Sequence, residues 1–532
     1  MSWHGTGGDV GRHKVTREVV RHRRARLRRL GLLVVLWCGG VAVRDGVEAQ
    51  VTASVRLEDA LIGTAPERYL RALETLYGKP FDGRDTVWRG PWTIDLAPRH
   101  ISLRSASIDV SRNSGLPYGR DDGSAWAGRG WNIRATGQAS VRYGPVSIRL
   151  APLAWWAQNQ PFALLPVGPL PLVHPQIGYG IDLPQRMGYS AVGRVDPGES
   201  EVALSWLGAR LALTSATMRI GAGAEHATLV QGEAGGYPRL EAGVPAGIRT
   251  PLGTISGNVA WGRLAQSMWA PNRRTGARLG THLEARWRSP GRGLVEVGAG
   301  RFYHFDWRGF STRDLGKPFG SLFVDRQVYF GGEADNQQLS VFGRLLVPEA
   351  GLEIAAEFAK NDRSNDLRDF GNELEHNAAW LVAVRRAWRI EERLWVVNVT
   401  AASNRIPELQ LYRGQALNYE HSPLTQGHTL RGQLLGTPLL ERGAGVEVRM
   451  DRYEPAGRWA LIATSRSLPD VREEAIRDSA LRHEWAVLAE WMRWVPGGAV
   501  TVRTGGLVEV APSAPSGNRL NWHTAVGYQW RW

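Results

Sequence analysis

Residues 131–143 read WNIRATGQASVRY. Trp131, Ile133, Ala135, Gly137, Ala139, Val141 and Tyr143 fall on one parity, and Asn132, Arg134, Thr136, Gln138, Ser140 and Arg142 on the other. Side chains alternate across a strand with period two, so this segment has one apolar and one polar face. It is longer than a globular strand of about five or six residues and suits a tilted strand crossing a bilayer. Aromatic residues stand at both ends, where a membrane interface would lie. Gly144-Pro145 then breaks the run, and Val146, Ile148 and Leu150 resume it against Ser147 and Arg149. That is a hairpin with a short turn.

The pattern recurs. Leu352, Ile354, Ala356 and Phe358 oppose Glu353 and Glu357; Val446, Val448 and Met450 oppose Glu447, Arg449 and Asp451; Val295, Val297 and Ala299 oppose Glu296, Gly298 and Gly300. Further runs lie near 200–216, 245–264, 337–347, 378–402, 457–466 and 483–511. Roughly 16–20 such segments fall within the range of single-chain outer-membrane barrels. A soluble β-sandwich also alternates, but it does not need charges along one face and Trp at so many strand ends. At the C-terminus Val526, Tyr528, Trp530 and Trp532 alternate with Gly527, Gln529 and Arg531. A terminal aromatic closing an alternating strand is similar to the signal read by outer-membrane assembly machinery. That machinery is therefore an expected partner, through the strand ending at Trp532.

Composition points the same way. The 532 residues include 63 Gly and 23 Trp against 11 Phe, 6 Met and one Cys. Trp anchors at membrane interfaces and Gly relieves crowding in tilted strands. Mean hydropathy is −0.28, too low for a helical membrane protein, whose every span needs about 20 mainly apolar residues. The formal charge is +14, but residues 1–49 hold ten Lys/Arg and four Asp/Glu, which leaves +8 for the rest. Modest basicity spread along the chain does not argue for nucleic acid and fits a charged lumen or an acidic partner.

An export signal accounts for residues 1–49. Arg21, Arg23, Arg24, Arg26, Arg28 and Arg29 form a basic region, Leu30 to Val43 is uncharged, and Val47-Glu48-Ala49 offers small residues for cleavage before Gln50. Its removal takes away Cys38, the only cysteine, so the mature chain can form no disulfide and no thiolate metal site. Within residues 50–98, PERYLRALETLY (Pro66 to Tyr77) reads as a helix, with Thr64 and Glu67 as a capping box and Gly78 as its stop. Leu70, Leu73 and Leu76 would share a face, with Arg68, Arg71 and Glu74 pointing elsewhere. The helix is expected to plug the periplasmic mouth; a loose periplasmic extension is the other reading. Residues 99–532 are the barrel. Pro161 to Pro175 (PFALLPVGPLPLVHP) holds too much proline for a helix or a central strand and reads as an ordered loop. Arg363 to His376 reads as a charged outer loop.

No catalytic residue, metal site or cofactor is expected. There is no G-x-S-x-G elbow, H-E-x-x-H, Walker loop or dinucleotide fingerprint. Asp121-Asp122-Gly123 lacks the following ligand positions of a calcium loop. The remaining polar and aromatic content suits sugars, whose rings stack on Trp and Tyr and whose hydroxyls meet Arg, Asn and Asp. Outer-loop candidates for polysaccharide binding are Arg120, Asp121, Asp122, Trp126, Arg129, Trp131 and Tyr179. For each, interface anchoring or an ion pair in the lumen is the structural alternative.

Four passages carry a family resemblance. They are NSGLPYGRDDGSAWAGRGWN (Asn113 to Asn132), DNQQLSVFGRL (Asp335 to Leu345), GLEIAAE (Gly351 to Glu357) and GHTLRGQLLG (Gly427 to Gly436). In this order, behind an N-terminal helix, they resemble the Wzi family of capsule-assembly proteins. The resemblance implies a transmembrane antiparallel β-barrel of about 18 strands with a short N-terminal helical plug. It also implies a lectin-like role, holding capsular polysaccharide at the cell surface. The chain departs from the family at Arg219 to His226 (RIGAGAEH), which lacks the family's Trp and Pro. Expected partners are therefore capsular or extracellular polysaccharide and outer-membrane lipid. The rival function is a porin-like channel for polar solutes.

Overall fold

The computed structural model describes residues 63–78, 101–120, 122–164, 181–222, 225–270, 277–307, 309–320, 335–361, 371, 374–375, 377–404, 419–421, 424–441, 443–469, 481–510 and 517–530. Residues 1–49, expected as an export signal, and Asp121, Tyr179, Trp532, residues 165–175 of the expected proline-rich loop and most of 363–376 lie outside them.

Period-two alternation produces a closed antiparallel barrel of 18 strands. These are β1 (Ile101–Asn113), β2 (Gly130–Tyr143), β3 (Val146–Leu150 continuing as Leu153–Ala157), β4 (Val192–Asp196 continuing as Glu201–Trp206), β5 (Ala209–Thr214) and β6 (Arg239–Thr250). They continue with β7 (Gly253–Ala265), β8 (Ala277–Arg288), β9 (Val295–Asp306), β10 (Asp335–Val347), β11 (Leu352–Asn361) and β12 (Ala378–Ile390). The last six are β13 (Arg393–Ser403), β14 (Ala444–Glu454), β15 (Gly457–Pro469), β16 (Leu481–Val495), β17 (Gly498–Val510) and β18 (Arg519–Trp530). Each pairs antiparallel with its neighbour, and β18 closes on β1 from Asn113↔His523 to Ala106↔Trp530. Pro152 and Pro197, which lack a backbone donor, sit in the interruptions of β3 and β4. The strand β5 has only six residues, and the upper half of β4 pairs with β3 alone among the described residues.

One parity faces lipid and the other the interior. On β14 Val446, Val448 and Met450 are exposed while Glu447, Arg449 and Asp451 are buried. The same holds for Ile354 against Glu353 and Glu357 on β11. Turns such as 144–145, 207–208 and 251–252 are short at one end, and the connections at the other end are long. In outer-membrane barrels the short turns are periplasmic, so the long connections are extracellular. Outward aromatics mark both interfaces: Trp131, Trp156, Trp380, Trp485 and Trp522 at the extracellular end, and Tyr143, Trp206 and Trp530 at the periplasmic end.

The lumen is filled. Helix α1 (Ala65–Tyr77) enters from the periplasmic side and ends at Gly78, whose left-handed φ of 64° needs glycine. Its apolar face buries Tyr69, Ala72 and Leu73 against Ala387, Leu394, Val396 and Tyr453 of the wall. The charged residues are buried as well, because the barrel interior supplies partners. Glu74 meets Arg344 at 2.9 Å, Glu67 meets Arg71 and Arg219 at 2.7 Å, and Thr75 donates to Glu353 at 2.9 Å. Burial raises the Glu67 pKa, but the Arg219 and Arg71 guanidiniums outweigh it and hold the carboxyl at about 2. The expected capping box forms only in part. Thr64 makes no side-chain cap bond, and Glu67 accepts instead from the Gly63 N–H at 2.7 Å. From the extracellular side, residues 215–222, 225–237, 419–421 and 424–441 fold inward, packing Leu229, Val230 and Leu430 on Phe302 of β9, and Tyr419 in a cluster with Leu381 of β12.

Candidate functional site

The connection 114–129 between β1 and β2 folds over the lumen, and Asn113 holds it there. Its Nδ2 donates to the carbonyls of Tyr118 (2.8 Å), Ala127 (3.2 Å) and Gly128 (3.1 Å). That fixes the amide, so Oδ1 faces β18 and accepts from Asn521 Nδ2 at 3.3 Å and His523 Nδ1 at 2.9 Å. An amide oxygen only accepts. His523 therefore carries its proton on Nδ1 and presents Nε2 as a bare acceptor.

Asn132 is fixed by the same logic. Its Nδ2 donates to Gly128 O (3.0 Å) and Gly130 O (3.1 Å), which leaves Oδ1 as an acceptor. The Trp126 indole supplies a donor, Nε1–H. Trp126 Nε1, Asn132 Oδ1 and His523 Nε2 are buried atoms that make no hydrogen bond within the protein. All three residues line one cavity of about 50 Å³, together with Asp109, Asp122, Arg134, Trp155 and Arg503. It lies at the extracellular half of the barrel, behind β1, β2 and β18.

Charges around the cavity are already paired. Arg134 lies between Asp109 (3.1 Å) and Asp122 (3.4 Å), and Arg503 meets Glu490 at 2.8 Å. Asp122 also accepts from the Arg120 backbone N–H at 3.0 Å. This tight turn needs glycine beside it, since a Cβ on Gly119 would sit 2.2 Å from Asp122 Oδ2. Trp155 packs with Ala125 and Trp126, and its Nε1 donates to Asp196 at 3.4 Å. The cavity thus offers two acceptors, one donor and indole surface. A hydroxyl can accept from Trp126 Nε1–H and donate to one of the two acceptors, Asn132 Oδ1 or His523 Nε2, and a second hydroxyl can donate to the other; an anion, which only accepts, can donate to neither. The volume admits one edge of a sugar ring, such as a hydroxymethyl group.

Of the residues singled out in the sequence, Asp122 and Trp126 line the cavity. Arg120 stands beside it, its guanidinium bidentate on buried Glu447 at 2.5 and 2.6 Å. His226 Nε2 approaches the same carboxylate at 3.1 Å without hydrogen-bond alignment. Burial lowers the His226 pKa, but Glu447 outweighs it and raises the imidazole above its ordinary value. Arg129 braces outer segments, donating to Ser114 O at 3.2 Å and Pro161 O at 2.5 Å. Trp131 lies on the outer face of the wall with Arg112 over its ring at 5.6 Å, away from the cavity. Asp121 and Tyr179 fall outside the described residues. Sequence reading missed Asn132, Arg134 and His523; the first two sit on the polar parity of the strand next to Trp131, and His523 joins them only through barrel closure. Among the described residues, no group of three or more His, Cys, Asp or Glu side chains is placed to hold a metal ion.

No family model matches the chain, and no curated protein matches it in sequence. Solved structures match in fold. Wzi of Escherichia coli, described as an outer membrane protein involved in group 1 capsule assembly and a carbohydrate binding β-barrel, is 13% identical, with a TM-score of 0.55 over 81% of this chain and 85% of that one. The OpdK structure with vanillate from Pseudomonas aeruginosa is 13% identical, with a TM-score of 0.41 over 80% of this chain and 98% of that one. A BenF-like porin from Pseudomonas fluorescens Pf-5 is 8% identical, with a TM-score of 0.43 over 81% and 99%. At these identities the likeness is one of fold, that of an outer-membrane β-barrel.

Proposed function

We propose that this chain is a non-enzymatic outer-membrane protein that holds a capsular or extracellular polysaccharide at the cell surface and assists its attachment. The observation that carries this reading is the cavity beneath loop 114–129, where Trp126 Nε1, Asn132 Oδ1 and His523 Nε2 stand unpaired beside two indoles. A buried polar atom without a partner costs about 1–3 kcal/mol, and a sugar hydroxyl entering the cavity relieves that cost. The printed description of Wzi, together with its likeness in fold, supports the same role. A lumen filled by α1 and two inward-folded connections favours holding over passage, so the porin-like reading ranks second. Export by residues 1–49 and recognition of the terminal strand by the assembly machinery belong to the same proposal.

Purified protein in detergent should bind the polysaccharide of its own cell in a titration followed by calorimetry. Trp126→Phe, which removes the N–H and keeps a smaller aromatic ring, is expected to weaken binding about tenfold, and Trp126→Ala about a hundredfold. Trp131→Ala, on the outer face, should leave affinity unchanged. A strain lacking the chain should shed polymer into the medium while still making it. Equal affinity in all three variants would remove the cavity from the proposal, and unchanged surface polymer would remove the role.

A further inference from the structure

The wall from β7 to β9 departs from the lipid-facing pattern near its extracellular end. On β9 the outward parity runs Val295, Val297, Ala299, Arg301, Tyr303 and Phe305. Val295 and Val297 are exposed, yet Arg301, Tyr303 and Phe305 are buried. On β8 the outward Leu279 and Thr281 are buried too. They are covered by a 3-10 helix, Thr312–Phe319, which has folded back over the outside of the barrel.

The cover is fastened. Trp261 on β7 donates its Nε1–H to Asp314 O at 3.1 Å, and Arg301 donates to Gly320 O at 2.6 Å. Lys317 lies over the Phe305 ring at 4.4 Å and pairs with Asp314 at 2.8 Å. Asp314 also accepts from the Ser311 N–H at 2.7 Å, closing a capping box. Leu279, Tyr303 and Phe305 form a buried cluster with Trp307 against it.

Its other side is unlike an extracellular loop. Phe310, Leu315 and Phe319 are 56%, 45% and 62% exposed. They continue the apolar belt of Val297 on β9 and Val341 on β10, both also exposed. Arg313 is exposed on the same segment, and Arg263 stands outward on β7 with its guanidinium 5.9 Å from the Trp307 ring. Apolar side chains continuous with a lipid belt, with cations beside them, match the boundary between acyl chains and headgroups.

We propose that residues 310–320 form a clasp on the outer wall that binds a lipid of the outer leaflet, its acyl chains against Phe310, Leu315 and Phe319 and its headgroup phosphate on Arg313 and Arg263. The clasp is independent of the sugar cavity, which lies on the lumen side of β1, β2 and β18.

The test uses the full chain with Cys38→Ser and a nitroxide on Leu315→Cys. The protein is reconstituted in phosphatidylcholine vesicles with or without phosphatidylglycerol. Power saturation should show access to oxygen and protection from a nickel chelate, as for a label at Val341→Cys and opposite to one at Asn518→Cys. A label that behaves like the Asn518→Cys control overturns the proposal. Lipid retained on the purified protein is then counted by native mass spectrometry, without the label. Arg313→Glu and Arg263→Glu should each lower retained phosphatidylglycerol about fivefold relative to phosphatidylcholine. Unchanged ratios in both variants overturn the phosphate assignment, and a loss confined to them supports it.

Discussion

Replacing Glu67 with alanine is expected to release α1 inside the barrel while leaving the wall intact. Its carboxylate gathers the Gly63 N–H, Arg71 and Arg219, each at 2.7 Å. Without it two guanidiniums remain in the lumen facing no carboxylate at that point. Removing one partner from a buried ion pair costs about 3–5 kcal/mol. Amides of residues 65–77 should then exchange with solvent at least a hundredfold faster, while the strand amides keep their rates. In planar bilayers the variant should show discrete current steps that the parent lacks. Acid should act in the same direction. The folded carboxyl sits at about 2 against an ordinary 4.5, so its stabilising effect is present above 4.5 and is lost as pH falls toward 2. Glu67→Gln should flatten that dependence. Helix exchange that is the same in parent and alanine variant would mean the ion pairs do not hold the plug.

The second large effect is expected at Arg120. A binding residue and a brace give different outcomes here, because Glu447 is buried beneath it. Arg120→Ala leaves that buried carboxylate with the Thr464 hydroxyl at 3.3 Å and the misaligned His226, at a cost of about 3–5 kcal/mol. Loop 114–129 should loosen and glycan affinity should fall with it. Changing both partners to apolar residues, Arg120→Met with Glu447→Leu, should restore most of the thermal stability and much of the affinity, since the cavity itself is untouched. A double variant as weak as Arg120→Ala would instead place the guanidinium on the glycan. Raised alkalinity adds a smaller test. The elevated His226 pKa means its charge on Glu447 is present below the ordinary imidazole range and is lost as pH rises past the folded value.

The wall was readable because alternation is a local property. Residues 131–143, 295–300, 352–358 and 446–451 each declare which side faces lipid without help from elsewhere in the chain. The helix was readable for the same reason, from Pro66 to the glycine stop at Gly78, against an observed Ala65–Tyr77. Its partners were not. Arg219 lies 152 residues from Glu67 and Glu353 lies 278 from Thr75, and only closure brings them together. The site suffered from a second ambiguity. A polar lumen and a sugar-binding loop draw on the same residue types, and the sequence could not show that Arg120 and Arg129, expected as ligand contacts, also fasten the loop. Asn132, between the exposed Trp131 and Ile133, carried the signal on its parity, but an inward side chain has meaning only once β18 sets His523 opposite.

The shortness of β5 has a consequence for how the molecule rides in its membrane. A strand needs about nine to eleven tilted residues to traverse the hydrocarbon, and β5 has six where β15 has 13. Hydrophobic thickness therefore varies around the circumference. Lipid next to β5 must thin, or the whole cylinder must lean to lower that flank, at a cost of a fraction of a kcal/mol for each ångström of mismatch.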